Sequence, residues 1–189
     1  ATDIAVGDDG DIFVLTARGQ VSTIHLCNYR GERVSELTPK NLPDELSDFR
    51  ADRLSYRQGI LYLADSNRLI VILANLDGSF REGHDLKAAL RRFAVGDERS
   101  ERDIEDMTMN GFDVDRQGNI LFTVAALFSA FRMSVAGDLT KFGRPGSGMG
   151  KFGVTGGIAA DDAGYIYVAD RLRCAVLIFD RTLRFQREF

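Results

Sequence analysis

Tryptophan is absent from the 189 residues, histidine and cysteine each occur twice, and proline occurs three times. Each shortage removes a class of protein. Without tryptophan there is no Trp-Asp dipeptide of the kind that marks WD40 blades. Cys27 and Cys174 stand alone, so no C-x-x-C pair offers a redox, zinc-ribbon or haem-attachment site. His25 and His84 have no His or Cys partner at metal-ligand spacing, and no transition-metal cofactor is expected. No apolar run approaches the roughly 20 residues needed to span a bilayer, so no membrane span is expected. An excess of one charge is also missing. Twenty-four Lys and Arg against 28 Asp and Glu leave a net charge of −4, which provides no general attraction to nucleic acid or anionic lipid. With 44% hydrophobic and 28% charged residues, the composition is that of a soluble globular domain.

What the chain does contain is a repeat. Asp9-Gly10-Asp11-Ile12-Phe13-Val14, Gln58-Gly59-Ile60-Leu61-Tyr62-Leu63, Gln117-Gly118-Asn119-Ile120-Leu121-Phe122 and Ala163-Gly164-Tyr165-Ile166-Tyr167-Val168 each place a turn glycine before a β-rich run. A short extended segment precedes each glycine (4–6, 51–56, 111–115 and 157–161), and a third run follows (21–26, 69–73, 131–135 and 175–179). Another polar turn and a shorter fourth run, such as 183–189, complete each unit. Each unit therefore predicts a four-stranded antiparallel meander. The glycine spacings of 49, 59 and 46 residues suit propeller blades and exceed the periods of leucine-rich or hexapeptide solenoids. The expected fold is an all-β propeller in one domain over 1–189, with blades at about 1–37, 48–81, 109–143 and 152–189 and an inserted helical loop over 82–107.

The last unit resembles the NHL repeat: Gly146-Ser147-Gly148-Met149-Gly150-Lys151-Phe152, Gly157-Ile158-Ala159-Ala160-Asp161, Gly164-Tyr165-Ile166-Tyr167-Val168-Ala169-Asp170 and Val176-Leu177-Ile178-Phe179-Asp180. Unit two is similar through Leu61-Tyr62-Leu63-Ala64-Asp65-Ser66-Asn67-Arg68, whereas units one and three carry Thr16-Ala17 and Val124-Ala125-Ala126 in place of the Ala-Asp step. The resemblance implies a six-bladed ring, which at this blade size needs on the order of 280 residues. A blade is stable only when neighbours cover both its faces, so the expected ring is completed by further blades. A closed four-bladed ring and pairing with a second chain are the alternatives. The chain opens on Ala1 and runs directly into Asp3-Ile4-Ala5-Val6. Signal-peptide removal would produce that start and a periplasmic or extracellular location in a bacterium, and so would a longer chain.

Two insertions, 38–47 and 81–107, link an outer strand to the next inner strand, and such connections emerge on the same face as the loop between strands two and three. Leu86, Ala89, Leu90 and Phe93 recur at helical spacing behind Asp85, which predicts a short amphipathic helix, and 100–107 suggests a second, acidic helical turn. On that face Ala125-Ala126-Leu127-Phe128-Ser129 is unusually apolar for a turn. Arginine supplies 20 of the 24 basic residues, and Arg171, Arg173, Arg181, Arg184 and Arg187 fall in the last unit, a clustering that suits a protein interface, with surface salt-bridging the commoner explanation. Asp8-Asp9 and Asp161-Asp162 precede turn glycines and are read as turn caps rather than calcium ligands, and Asp65 and Asp170 as acceptors for the blade's own backbone. The Gly146–Gly150 stretch lacks a Lys-Ser/Thr ending and a following helix, so it is an interblade connection and not a phosphate loop.

These readings point to a non-catalytic scaffold that binds another protein through its loop-rich face, Leu127 and Phe128 as apolar anchors and Arg171 and Arg173 as the polar rim. No cofactor is expected. Related propellers imply two rivals. Lactonase-type members are calcium-dependent hydrolases with inward acidic side chains, and some NHL members bind single-stranded RNA on a basic face. Against the latter, residues 82–106 hold eight acidic and five basic side chains.

Overall fold

The computed structural model describes residues 1–19, 21–93 and 104–189. Its strands form four sheets, each of four antiparallel strands joined in sequence order. Blade one comprises β1 (Asp3–Val6), β2 (Ile12–Arg18), β3 (Val21–Cys27) and β4 (Arg33–Leu37). Blade two comprises β5 (Arg53–Arg57), β6 (Ile60–Asp65), β7 (Ile70–Ala74) and β8 (Phe80–Asp85). Blade three comprises β9 (Gly111–Val114), β10 (Ile120–Val124), β11 (Ser129–Met133) and β12 (Leu139–Phe142). Blade four comprises β13 (Thr155–Ala160), β14 (Ile166–Asp170), β15 (Ala175–Phe179) and β16 (Phe185–Glu188). The chain divides into two compact units, Ala1–Leu86 and Lys87–Phe189, each with two blades.

The four repeated glycines do what their spacing demanded: Gly10, Gly59, Gly118 and Gly164 all sit at φ between 78° and 88°, where a side chain would be strained. Gln58-Gly59 is a two-residue turn with both φ positive, and the other three turns close through a glycine N–H to the carbonyl of Gly7, Asp115 or Asp161. Acidic residues cap two of these turns, whereas Asp8 accepts the hydroxyl of Tyr56 instead. Asp115 accepts the N–H groups of Gln117 and Asn119, and Asp161 accepts that of Tyr165.

In the first unit Phe13, Leu15 and Ile24 of blade one meet Leu54, Tyr56, Leu61, Leu63, Ile72 and Ala74 of blade two in one buried cluster. Strand alternation puts each set on a single sheet face, and burying each large side chain is worth about 1.5–3 kcal/mol. Phe13 stacks on Tyr56 at 5.3 Å between ring centroids. Polar ties cross the same seam. Asp3 accepts the N–H of Leu54 at 2.8 Å, Ser22 donates to the Ala51 carbonyl, and the Tyr56 hydroxyl donates to Asp8.

The second unit repeats the scheme with different residues. Leu121, Ala130 and Phe142 of blade three, Phe152 of the connection and Ile158, Ile166, Val168, Leu177 and Phe179 of blade four form its core. Asp113 accepts the Ala160 N–H at 2.8 Å, and Thr123 donates to the Gly156 carbonyl at 2.6 Å. At this seam the backbones approach so closely that a Cβ on Gly111 would lie 2.5 Å from the Gly156 carbonyl oxygen and 2.7 Å from the Ile158 nitrogen.

Several strand boundaries differ from expectation by a few residues, three of them with a clear cause. The third strand of blade three starts at Ser129, two residues before 131, because Phe128 has already reversed the chain in a left-handed conformation (φ 49°). The fourth strand of blade four starts at Phe185, since Leu183, at φ 65°, belongs to the turn. In blade two β8 reaches Asp85, so strand occupies 82–85 of the expected insertion. Ile70 pairs with Asp85 and Val71 with His84, and a polar outer strand shows no apolar alternation to reveal it. Helix α1 (Leu86–Phe93) then follows with Leu86, Ala89 and Leu90 buried, whereas Phe93 remains 51% exposed, edge-on to Phe131. Of the acidic helical turn expected at 100–107, residues 100–103 lie outside the described residues, and Ile104 and Glu105 are helical. No helix among the described residues is long and apolar enough to cross a membrane.

Because backbone, not a flexible side chain, occupies the space beside Gly111, Gly111→Ala should lower stability by about 2 kcal/mol or more. Urea denaturation measures this, and an unchanged midpoint would contradict the close approach.

Candidate functional site

Antiparallel order places the loops β10–β11, β12–β13 and β14–β15 at one end of the second unit. The β10–β11 loop is a single 3-10 turn, Ala125–Leu127, closed by the Phe128 N–H on the Ala125 carbonyl. Asn110 anchors its start by accepting the Ala125 N–H at 2.7 Å, and Ser129 anchors its end by donating to the Leu127 carbonyl at 2.8 Å. Leu127 is half-buried and Phe128 is 42% exposed. The left-handed residue recurs at the same hairpin position as Leu69 in blade two and Cys174 in blade four, at φ 52° and 51°. It is therefore a property of this hairpin type and not a strain peculiar to blade three.

The β14–β15 loop is built around Asp170. Its carboxylate accepts four backbone N–H groups: Gly153 at 2.6 Å, Val154 at 3.1 Å, Leu172 at 3.1 Å and Arg173 at 3.0 Å. The first two tie the head of the inner strand and the last two close the turn. Blade two divides these tasks. Asp65 accepts from Asn67 and Arg68, and Asp52 accepts from Ser66. Both Ala-Asp steps thus serve their own blade.

Arg171 and Arg173 leave this loop differently. Arg171 is exposed, and its stem runs over Gly156, where an added Cβ would come 3.1 Å from Cγ. Arg173 is drawn inward: its guanidinium donates to the Lys151 carbonyl at 2.7 Å and to Glu188 at 2.5 Å, with its side chain only 17% exposed. It holds the loop to the connection and to β16. Between the two arginines Leu172 is 71% exposed, lying against Gly153, and Met149 is 77% exposed in the β12–β13 connection. Sequence reasoning passed over both, Met149 because it sits in a glycine-rich stretch and Leu172 because arginines flank it. That connection is pinned where the Phe152 N–H meets the Arg144 carbonyl and the Gly146 N–H meets the Phe152 carbonyl.

Elsewhere the sparse chemistry stays dispersed. His25 Nε2 lies 3.0 Å from the Thr16 hydroxyl, His84 lies 3.6 Å from Glu82, and Cys27 and Cys174 are free thiols. Among the described residues no three His, Cys, Asp or Glu side chains are grouped to hold a metal ion.

Burial pushes the Asp170 pKa up, but the bonds from Gly153, Val154, Arg173 and Leu172 outweigh it and hold the carboxyl below its ordinary value of 3.8. Its stabilisation is complete above that value and is lost as pH falls through the lower native one. Asp170→Asn presents an amide N–H₂ to some of those donors and should cost about 2–3 kcal/mol at pH 7. Unfolding measured from about pH 5 down to about pH 2 should show a shallower acid dependence in the variant than in the parent.

No protein-family model matches the chain, and no curated protein matches it. Solved structures do. A streptogramin B lyase superposes with a TM-score of 0.63 at 13% identity, covering 99% of this chain and 53% of that one. A catalytically inactive virginiamycin B lyase from Staphylococcus aureus, solved with quinupristin, gives 0.62 at 14% identity, covering 99% and 54%. Apo AztD from Citrobacter koseri gives 0.56 at 15% identity, covering 99% and 46%. The chain spans about half the length of these structures. At such identities the likeness concerns the fold, and with the four meanders it shows that the chain is a β-propeller of four-stranded antiparallel blades.

Proposed function

We propose that this chain is an NHL-type propeller scaffold that binds another protein through the loop end of its second unit. The NHL assignment rests on the residues of blade four. Lyases among the fold neighbours do not decide between binding and catalysis, because one fold hosts many chemistries. The observation that carries the reading is the pairing of anchored loops with exposed apolar tips: Phe128, Met149 and Leu172 project from segments pinned by hydrogen bonds at their ends. Little loop entropy is lost when such a surface is covered. Arg171 beside Leu172 favours a partner with an apolar knob flanked by carboxylates. The buried carboxylate of this end, Asp170, accepts four backbone N–H groups, which accounts for it as part of the loop's own framework.

Further blades would complete the scaffold. Supporting this are the half-length match to solved propellers and the exposed Ile4 (55%) and Val6 (61%), which strand alternation puts on the blade-one face opposite Phe13 and Leu15.

The test uses two surface variants chosen to preserve folding. Phe128→Gly suits a φ of 49°, and Leu172→Ser changes a side chain that is 71% exposed. A partner recovered by affinity capture and identified by mass spectrometry is purified and titrated against each form. Each substitution should weaken binding by about tenfold with an unchanged circular-dichroism spectrum. Undiminished affinity in the double variant, or calcium-dependent turnover in a lactone and ester screen, would overturn the reading.

A further inference from the structure

At the opposite end of the second unit, a cleft of about 610 Å³ lies between blades three and four. Its walls are the β9–β10 turn with Arg116, Gln117 and Asn119, the end of β11 with Arg132 and Ser134, and the two turns of blade four with Asp162, Gly164, Arg181 and Thr182. The volume falls in the range of small-molecule sites, roughly 300–1,000 Å³. No large apolar side chain lines it, so an apolar ligand would gain nothing there.

Its charge balance is unusual for a protein of net charge −4, with three guanidiniums facing one carboxylate, Asp162. The reason lies in the turns. Asp115 and Asp180, which precede Arg116 and Arg181, and Asp161, which precedes Asp162, are all occupied. Asp115 accepts from Gln117 and Asn119, Asp161 from Tyr165 and the Tyr167 hydroxyl, and Asp180 from Thr182, Arg184 and Gln186. Those bonds hold Asp161 and Asp180 ionised below the ordinary carboxylate range, but their oxygens point into their own turns. Arg132 reaches across the seam and donates one Nη to the Arg181 carbonyl at 2.9 Å, which fixes its position. Arg116 and Arg181 form no hydrogen bond or ion pair with the described residues through their guanidiniums. Three planar donors are thus gathered in a polar cleft whose lining offers a single carboxylate, Asp162.

We propose that this cleft binds a small oxyanion carrying at least two negative charges, a di- or tricarboxylate or a phosphate compound, through Arg116, Arg132 and Arg181. Carboxylates and phosphates share the bidentate geometry that guanidinium groups recognise, and an extended anion is needed to meet arginines contributed by two blades. The site is independent of the apolar loop end, and failure of either assignment leaves the other standing.

Isothermal titration of the intact chain with citrate and with inorganic pyrophosphate separates the two sources, since tighter binding of one probe names its class. The expected result is one site per chain whose affinity falls at least about tenfold in the Arg116→Gln/Arg181→Gln variant. A charge-matched control, Arg50→Gln/Arg187→Gln, should retain the parent affinity. Equal loss in both variants would reduce the effect to net charge and overturn the proposal, as would failure of both probes to bind the parent chain. The substituted arginines are exposed, and an unchanged thermal midpoint confirms folding of each variant.

Discussion

A four-stranded meander has two faces and, in this chain, apolar residues enough to need cover on both. Blade two shows the demand most clearly, with Leu61, Tyr62, Leu63 and Ala64 all buried although alternate residues of a strand point in opposite directions. Within each unit one face of each blade is covered by the neighbouring blade together with residues of the connections, such as Phe49 and Phe152. The seams are filled by different residues, Phe13 on Tyr56 in one and Phe142, Phe152 and Phe179 in the other. What they share is the polar complement. In both, an aspartate on the inner strand of the first blade accepts a backbone N–H from the inner strand of the second, Leu54 or Ala160. An inner strand has one edge without a partner strand, and its donors would otherwise depend on water.

The same economy of acceptors shapes the loops. Each strand-two to strand-three hairpin of blades two, three and four is fastened to the head of its inner strand by a side-chain oxygen from Asp52, Asn110 or Asp170. Several aspartates of the turns and loops accept backbone N–H groups, which has two consequences. The loop tip carrying Leu172 is pinned by Asp170 while its side chain stays in water. Arginines lose the counter-charges that sequence counting would assign to them, and the cleft around Arg116, Arg132 and Arg181 is the result. The apolar tips and the basic cleft occupy opposite ends of the second unit for a topological reason: successive hairpins of a meander alternate ends.

Much of the fold was legible because it depends on local rules. A glycine before a β-rich run, four times at blade period, specifies a turn requiring positive φ and hence the meander. Asp65 and Asp170 were readable as backbone acceptors from the step they occupy. Less of the candidate site was legible. Leu127 and Phe128 stood out as apolar residues in a turn, but Arg171 and Arg173, two positions apart, look equivalent in sequence and differ in fate, one over Gly156 and exposed, the other closed onto Glu188 and Lys151. The end of β8 was hidden for a related reason: an outer strand is recognised by its pairing partner, and Glu82-Gly83-His84 has no apolar period.

By itself the sequence determined the number and order of the strands, the turns between them and the blade as the repeating unit, since these follow from backbone conformation and side-chain alternation within a few residues. Tertiary structure alone decided which aspartates accept backbone N–H groups across the seams, which arginines remain uncompensated and how closely Gly111 approaches Gly156. Those outcomes depend on atoms brought together from residues 33 to 51 positions apart, as in the bonds Thr123 to Gly156 and Leu54 to Asp3, and no local pattern encodes such a distance.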